Sequence, residues 1–350
     1  MTERKLATIR RIDELRPIEG ADAIECAVVG GWKVVAQKGL YQVGDLAVYF
    51  EIDSWIPTVI APFLSKGKDP REFEGVKGER LRTIKLRGQL SQGLLIPIHN
   101  DKTGTYLMIY TDETGEYSLT VAEGDDVTEA LGIKKWEKPI NAQLAGVCKG
   151  NFPTRIPKTD QERVQNLKKE IAAAQGMVFE VTEKLEGSSM TCYVLNGEFG
   201  VCSRNMDLKR DENNSFWKAA IEYDLEAKML DRQYEFAIQG ELCGPGIQGN
   251  IYKLPKLEFY VYDIYDVQDG EYMNPNARRE LTKSLGLTHV PLLDDYYVMN
   301  DTIDQLLDVA EGQSRLAIDP LEREGIVFKQ VDGGMTFKAI SNAYLLSGGE

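Results

Sequence analysis

Short, mostly apolar runs separated by turn residues recur along the first hundred positions of the chain. Residues 25–29 and 32–36 form two such runs, and Gly30-Gly31 between them is typical of a hairpin turn. Another short run, 46–50, follows the turn Val43-Gly44-Asp45. Short strands separated by close glycine turns predict a small barrel and disfavour a parallel sheet in this part of the chain.

Longer elements are predicted further on. Thr159 followed by Glu162 fits a capping box, so we expect a helix that begins there and ends near Gly176. Residues 177–182 alternate and predict a strand that leads into Lys184. Later strands are predicted at 191–194, 199–203, 234–242, 259–265, 323–329 and 335–340, and later helices at 215–230, 276–285 and 303–311.

A loosely patterned stretch, 136–157, separates the two halves and contains Pro139, Pro153 and Pro157. We therefore predict an α+β protein with two domains, residues 1–145 and residues 146–350. The first is the small barrel, and the second combines antiparallel sheets with flanking helices.

Composition narrows the class of protein. The 350 residues are 43% hydrophobic and 27% charged, which is typical of a globular protein. No apolar run is long enough to cross a bilayer, and the charged N-terminus is unlike a signal peptide. The five cysteines are scattered, without a CxxC pair. We expect reduced thiols and a soluble intracellular location, cytoplasmic or nucleoplasmic.

Charge and histidine content restrict the chemistry. A net charge of −14 argues against a protein that coats nucleic acid non-specifically, although it leaves room for a local basic groove. With only two histidines, His99 and His289, histidine-based catalysis is disfavoured. Acid–base or nucleophilic work would fall to Lys, Asp, Glu, Ser or Cys.

One basic segment contrasts with the acidic background. Arg80, Arg82, Lys85 and Arg87 lie within eight residues of a predicted strand. They could protect a solvated edge strand by charge. We favour a basic ridge that contacts a phosphate backbone, with Arg82, Lys85 and Arg87 as its RNA-binding residues.

Polar residues also lie at or near the ends of the predicted strands in the second half. Lys184 follows one strand and is part of the turn Lys184-Leu185-Glu186-Gly187. The others are Arg204, Glu241, Glu324 and Lys338. Together they suit a nucleotide and a divalent metal better than an apolar core. A lysine amine can attack phosphorus once desolvation and nearby cations lower its pKa.

These segments occur in an order that resembles a known superfamily. They are Lys184-Leu-Glu-Gly, Ser203-Arg204-Asn205, Gly240-Glu241-Leu, Tyr260-Val-Tyr262-Asp-Ile, Glu324-Gly-Ile-Val-Phe and Phe337-Lys338-Ala-Ile. The set resembles the covalent nucleotidyltransferases, which comprise DNA ligases, RNA ligases and mRNA-capping enzymes. The barrel before it and the short chain after it resemble the ATP-dependent RNA ligases with an N-terminal OB domain.

The resemblance implies a role for each matched position. Lys184 would be the catalytic nucleophile that forms lysyl-AMP. The nucleotide would be bound by Glu183, Arg163, Arg204, Glu241, Tyr262 and Lys338, with Tyr262 stacked on adenine. Glu186, Glu241 and Glu324 would serve Mg²⁺ or Mn²⁺, directly or through water. The implied reaction uses ATP to join the 3′-hydroxyl end of one RNA strand to the 5′-phosphate end of another. We expect the enzyme to be a monomer.

Two departures and several alternatives accompany this hypothesis. Glu186 stands where Asp is commoner in the family, and Ile340 stands where many relatives have a second lysine, so Lys329 or another cation could substitute, or none. Glu186 could instead cap its turn, and Arg204 could pair with Glu180 or Glu198. The alternative functions are a DNA ligase, a capping-type guanylyltransferase and a non-catalytic OB RNA-binding protein.

Overall fold

The computed structural model describes residues 4–100, 106–112, 115–137 and 147–348. These residues form two compact units. The N-terminal unit contains the described residues up to 137 together with Gln165–Lys168, and the catalytic unit contains the rest. The predicted boundary between residues 145 and 146 lies outside the described residues, so the domain limits stay a prediction.

The N-terminal unit consists of small antiparallel sheets. Its strands are β1 (Ala7–Arg11), β2 (Glu14–Pro17), β3 (Ile24–Val29), β4 (Trp32–Gln37), β5 (Leu46–Phe50), β6 (Ser54–Pro57), β7 (Arg71–Phe73), β8 (Val76–Arg80), β9 (Ile84–Leu86), β10 (Gln89–Ser91), β11 (Leu94–Pro97), β12 (His99–Asn100), β13 (Tyr106–Asp112), β14 (Gly115–Val121) and β15 (Lys134–Lys135). The sheets are ordered β1-β5-β11, β2-β3-β4, β15-β6-β8-β7, β9-β10 and β12-β13-β14. The hairpin predicted around Gly30-Gly31 is confirmed as β3 and β4.

The core of this unit forms around β5. All five residues of β5 are buried, because the strand lies between β1 and β11. Val48 and Phe50 pack with Ile9 of β1 and with Ile56 of β6 in one apolar cluster. Burial of such side chains stabilises the unit by about 1.5–3 kcal/mol each.

The catalytic unit contains two larger sheets and several short helices. Its strands are β16 (Cys148–Asn151), β17 (Glu162–Arg163), β18 (Val178–Lys184), β19 (Ser188–Leu195), β20 (Glu198–Cys202), β21 (Met206–Leu208), β22 (Phe236–Cys243), β23 (Glu258–Asp266), β24 (Glu271–Tyr272), β25 (Thr288–His289), β26 (Leu292–Val298), β27 (Gly325–Gln330) and β28 (Thr336–Ile340). Its helices are α1 (Lys168–Ala173), α2 (Ser215–Glu222), α3 (Leu225–Leu230), α4 (Pro275–Ser284), α5 (Ile303–Ala310) and α6 (Asn342–Leu346).

The chain crosses between these two sheets at the lysine turn. Sheet one is ordered β16-β21-β20-β19-β22-β23-β24, with β25 beside β23, and sheet two is ordered β17-β28-β27-β18-β26. β18 is in sheet two, and only residues 185–187 separate it from β19 in sheet one. Residues at the end of β18 therefore lie where the two sheets meet.

The predicted helix that starts at Thr159 is wrong in its first half. Glu162 and Arg163 form β17, which pairs in parallel with β28, and the helix α1 begins only at Lys168. The Thr159 hydroxyl lies 2.9 Å from the hydroxyl of Tyr262. Tertiary strand pairing and burial of Arg163 outweighed the local capping signal.

A buried ion network joins both sheets to α4. Glu180 of β18 accepts hydrogen bonds from Arg278 and Arg279 of α4. Asp263 of β23 accepts one from Lys329 of β27 at 2.7 Å and lies 3.6 Å from the Arg278 guanidinium. Opposite charges thus alternate across the junction, so removal of one member leaves another buried and uncompensated.

Replacement of Glu180 by Ala should therefore strongly destabilise the protein. Glu180 is fully buried, and its loss leaves Arg278 without its main counter-charge, which costs about 3–5 kcal/mol. Urea unfolding would measure this loss. Glu198→Ala, at an exposed position on β20, serves as the control and should change stability by less than about 0.5 kcal/mol. A loss below about 1 kcal/mol for Glu180→Ala would contradict the prediction.

Candidate active site

Lys184 contacts a carboxylate through strand register. It is the last residue of β18 and pairs with Gly325, the first residue of β27. Glu324 comes immediately before Gly325 and is buried. The Lys184 Nζ donates a hydrogen bond to Glu324 Oε1, while the Lys184 side chain stays 26% exposed. The amine is therefore held in place and still accessible to a ligand.

A second carboxylate comes from sheet one. Glu241 of β22 lies opposite Ser189 of β19, just after the lysine turn. Burial raises the pKa of Glu241 to about 8, the charge of Lys184 opposes this shift, and the charge of Glu324 adds to it. The amine and both carboxylates thus form one electrostatically coupled cluster.

The glycine of the lysine turn is required by close packing. A Cβ at Gly187 would lie 2.5 Å from the carbonyl oxygen of Leu242 and 2.8 Å from Cγ of Glu241. Such distances are not tolerated without a backbone shift. Gly187 therefore allows the turn to lie directly against β22 and the Glu241 side chain.

Tyr262 is fixed beside this cluster. Its hydroxyl lies 2.9 Å from the Thr159 hydroxyl and 3.1 Å from the Ser189 hydroxyl. Lys329 donates a hydrogen bond to the Tyr262 carbonyl, and its Nζ lies 5.8 Å from the Tyr262 ring centroid. Burial raises the pKa of Tyr262, so the phenol is neutral. Tyr260 is buried in an apolar cluster against which the partly buried Tyr262 also packs.

Three cations lie on other elements around the site, Arg163 and Lys338 on strands and Arg204 between β20 and β21. Arg163 of β17 pairs in register with Lys338 of β28. Lys338 Nζ lies 3.5 Å from one oxygen of Asp160, and Arg204 Nη2 lies 3.1 Å from the other. Arg204 thus pairs with Asp160, a partner that sequence analysis did not identify. Arg204 and Lys338 therefore share the Asp160 carboxylate.

Lys329 does not replace the second lysine that many relatives have. It is buried, and it is held by Asp263 and by the backbone of Tyr262. Burial lowers the pKa of Lys329 to about 8, although Asp263 opposes this shift. Ile340, at the equivalent position, is buried and pairs with Gly325. Lys329 therefore holds the backbone of Tyr262 in place by its hydrogen bond to the carbonyl oxygen.

Glu183 and Glu186, predicted to bind nucleotide and metal, contact neighbouring protein groups. The buried Glu183 carboxylate accepts hydrogen bonds from the Ser314 hydroxyl and, at 2.8 Å, from the Arg315 backbone N–H. Burial raises its pKa. The backbone N–H of Glu186 donates to the Tyr252 hydroxyl at 2.6 Å. The nucleotide contact of Glu183 and the metal role of Glu186 stay predictions.

The predicted RNA-binding residues belong to the N-terminal unit. Arg82, Lys85 and Arg87 are exposed on and beside β9. Arg80, their neighbour in sequence, has a structural role. It pairs with Asp53 at 2.6 Å and lies 3.9 Å above the Trp136 ring.

The donor set suits a hard divalent cation. Glu241 and Glu324 supply carboxylate oxygens beside Lys184, which are ligands that Mg²⁺ and Mn²⁺ favour. Within the described residues, no group of three or more His, Cys, Asp or Glu side chains is arranged to hold a metal ion. A cation bound here would complete its coordination with water or with ligand oxygens.

Sequence reasoning predicts no contact with the site for residues 157–160. The Pro157 carbonyl accepts a hydrogen bond from Gln239 at 2.8 Å, and Lys158 donates one to Asn205 at 2.9 Å. Together with the contacts of Thr159 and Asp160, the whole segment lies against the site. Its signal in the sequence was present, but the pattern Thr-x-x-Glu was interpreted as a helix cap.

Comparisons with known proteins agree with this geometry. A family model described as RNA ligase matches residues 177–340, and one described as an OB-fold domain matches residues 6–98. No curated protein matches the chain significantly in sequence. The predicted fold, an N-terminal OB domain followed by a ligase domain of mostly antiparallel sheets, is confirmed.

Solved structures extend the similarity over almost the entire chain. "Naegleria gruberi RNA ligase with PPi" is 46% identical over 98% of this chain and 98% of that chain, with a TM-score of 0.87. A mutant of the same ligase with ATP and Mn is 45% identical over 97% and 98%, also with a TM-score of 0.87. A further mutant, with AMP and Mn, is 46% identical over 98% of both chains, again at 0.87. With an ordered lysine–carboxylate site and a full-length match of this kind, the chain belongs to the RNA ligase family.

Proposed function

We propose that this protein is an ATP-dependent RNA ligase in which Lys184 carries AMP. The contact of Lys184 with Glu324, beside Glu241, is the observation on which the proposal rests. It lies in the part of the chain that matches the RNA ligase family. ATP and a divalent metal are the cofactors, in agreement with structures of the similar ligase with ATP and Mn and with AMP and Mn.

Three transfers account for the joining reaction. Lys184 Nζ attacks the α-phosphorus of ATP, so a P–N bond forms and pyrophosphate leaves. A 5′-phosphate oxygen of RNA then attacks the AMP phosphorus, and the lysine is released. Finally the 3′-hydroxyl attacks the 5′-phosphate, a phosphodiester forms and AMP leaves.

The carboxylates determine when Lys184 is reactive. A lysine amine is a nucleophile only after it loses its proton, and the free side chain has a pKa of about 10.4. Glu324 holds that proton by accepting its hydrogen bond. Glu241, whose pKa burial raises to about 8, adds negative charge nearby once it is ionised. Mg²⁺ or Mn²⁺, held by these carboxylates through water, would offset their charge and that of the triphosphate. Lys184 would then lose its proton more easily.

The surrounding residues fit the nucleotide. Arg163, Arg204 and Lys338 would contact its phosphates and ribose, and Tyr262 would stack on adenine. Asp160 lies between Arg204 and Lys338, so a phosphate there would take the place of a carboxylate. This exchange would keep both cations paired throughout the cycle.

We further expect a monomer that acts on RNA ends inside the cell. All five cysteines are free thiols, as in proteins of a reducing compartment. Among the described residues, no helix has the length and hydropathy needed to cross a bilayer. Size-exclusion chromatography with light scattering would test the monomer.

Labelling with ATP tests the proposal directly. ATP labelled at its α-phosphate should label the wild-type chain on a denaturing gel, and GTP should not. Lys184→Ala should abolish labelling, whereas Lys209→Ala, at an exposed lysine of the same unit, should label normally. Labelling of Lys184→Ala, or no labelling of the wild type, would refute the proposal. Labelling by GTP alone would indicate a capping-type enzyme.

A sealing assay separates the ligase classes. Nicked duplexes with either RNA or DNA at the 3′-hydroxyl strand should be sealed efficiently only when that strand ends in RNA. Efficient sealing of an all-DNA nick would indicate a DNA ligase.

Glu241→Gln should reduce activity and at the same time raise stability at alkaline pH. The folded-state pKa of Glu241 is about 8 against an ordinary 4.5, so between these values the folded chain binds a proton that the unfolded chain has released. Wild-type stability therefore falls as pH rises from about 4.5 to 8. Gln carries no such penalty.

Thermal melts at pH 5 and pH 8 would measure this effect. The variant should melt above the wild type at pH 8, and the difference should shrink at pH 5, where Glu241 is largely protonated in the folded wild type. Adenylylation should fall by more than about tenfold, as for other residues that support a metal site. Equal melting temperatures at pH 8 would contradict the burial of this charge.

A further inference from the structure

A two-stranded hairpin projects from the sheets of the N-terminal unit. Among the described residues, strands β9 and β10 form a ladder only with each other, through a two-residue loop formed by Arg87 and Gly88. The end of β10 is attached to β4, because the Val35 N–H donates to the Ser91 hydroxyl at 2.9 Å. All three residues of β9 are exposed, and Ile84 and Leu86 are 47% and 39% exposed. Its apolar side chains therefore do not contribute to a core.

The arginines of this hairpin differ from the others in the unit. Six other arginines precede residue 137, and each has a protein partner: Arg4, Arg10, Arg11, Arg16, Arg71 and Arg80. Within the described residues, Arg82, Lys85 and Arg87 make no hydrogen bond, ion pair or ring contact through their side chains. Residues 80–100 also contain no Asp or Glu. Three cations are thus available in a protein of net charge −14.

Arg87 occupies a turn position at which arginine is disfavoured. Arg87 and Gly88 have φ angles of 47° and 82°, as in a type I′ turn. The first position of that turn favours Asn, Asp or Gly, because positive φ crowds other side chains. Turn preference therefore does not account for an arginine at the tip of this hairpin.

We propose that the β9–β10 hairpin is an RNA-binding arm that contacts the sugar–phosphate backbone of the substrate duplex. The inference rests on the proposed function, which makes RNA the substrate. Arg82, Lys85 and Arg87 bind phosphates. Ile84 and Leu86 lie against riboses in the wide, shallow minor groove of A-form RNA.

The residue types of the hairpin favour contact with an RNA backbone over base stacking or a protein interface. The hairpin and its flanks, residues 80–100, contain no Phe, Tyr or Trp, so they provide no aromatic platform for base stacking. Ile84 and Leu86 alternate with Lys85 and Arg87, so cations accompany apolar side chains on a narrow arm. Two apolar residues are too few for the core of a stable protein interface. The arm should therefore bind RNA without sequence preference.

Binding of nicked duplex RNA, measured without ATP over a range of salt concentrations, tests the arm. The test variant combines Arg82→Gln, Lys85→Gln and Arg87→Asn. The last change keeps a residue that the turn favours while it removes the charge. Each phosphate contact contributes about 0.9 to the slope of log K against log salt. The slope should fall by about two to three, and affinity at low salt by at least tenfold, equally for two unrelated RNA sequences.

A matched variant controls for net charge. Lys38→Gln, Lys66→Asn and Lys68→Gln remove three exposed charges from the same unit, and Lys66, with φ of 51°, matches Arg87 in backbone geometry. This variant should change affinity less than about twofold. Equal losses for both triple variants would overturn the arm and indicate general electrostatic attraction. Arg87→Asn alone should lower the slope by about one and leave the melting temperature unchanged.

Labelling with ATP separates the arm from the proposed function. The test variant should form the adenylylated chain as efficiently as wild type, because its substitutions lie outside the catalytic unit. Normal labelling with unchanged RNA affinity would refute the arm and leave the ligase proposal intact. Failure of the wild type to label would refute the ligase proposal itself.

Discussion

The contact between Lys184 and Glu324 depends on the register of two strands and organises the whole site. β18 and β27 pair so that Lys184 lies opposite Gly325, and Glu324 is the next residue. A shift of one residue would turn Lys184 to the other face of the sheet. The same strand end continues within three residues into β19 of the other sheet, where Ser189 faces Glu241. One register therefore places an amine between carboxylates from two sheets.

Burial of charged groups at this site costs folding free energy, and the ion network around the site offsets part of that cost. Glu241 has a raised pKa because burial opposes its charge. The neighbouring network of Glu180, Arg278, Asp263 and Lys329 holds the junction of the sheets, and it also reaches Tyr262 through the Lys329 hydrogen bond. These contacts therefore fix Tyr262 at the junction of the sheets, where the nucleotide would bind. The carboxylates of the site do not maximise stability, as expected for a catalytic site.

One hairpin of the N-terminal unit differs in charge pairing from the catalytic unit. In the catalytic unit, cations and carboxylates are paired closely, and Arg204 and Lys338 share Asp160. In the N-terminal unit, the β9–β10 hairpin holds three cations away from any acidic partner among the described residues. A net charge of −14 would reduce non-specific attraction to RNA, while the proposed arm would keep local affinity.

The sequence by itself determined the elements and the chemistry, because these depend on local patterns. Short runs around a glycine turn predicted β3 and β4, alternation predicted β18, and a mostly apolar run predicted β22. The order of Lys184, Arg204, Glu241, Glu324 and Lys338 indicated the family. Only the tertiary structure decided which of these residues meet. Register, sheet order and burial are long-range properties, so sequence reasoning placed Thr159 at a helix cap and left the partner of Arg204 and the role of Lys329 open. Pairing of β17 with β28, and burial of Lys329 against Asp263, resolved those points.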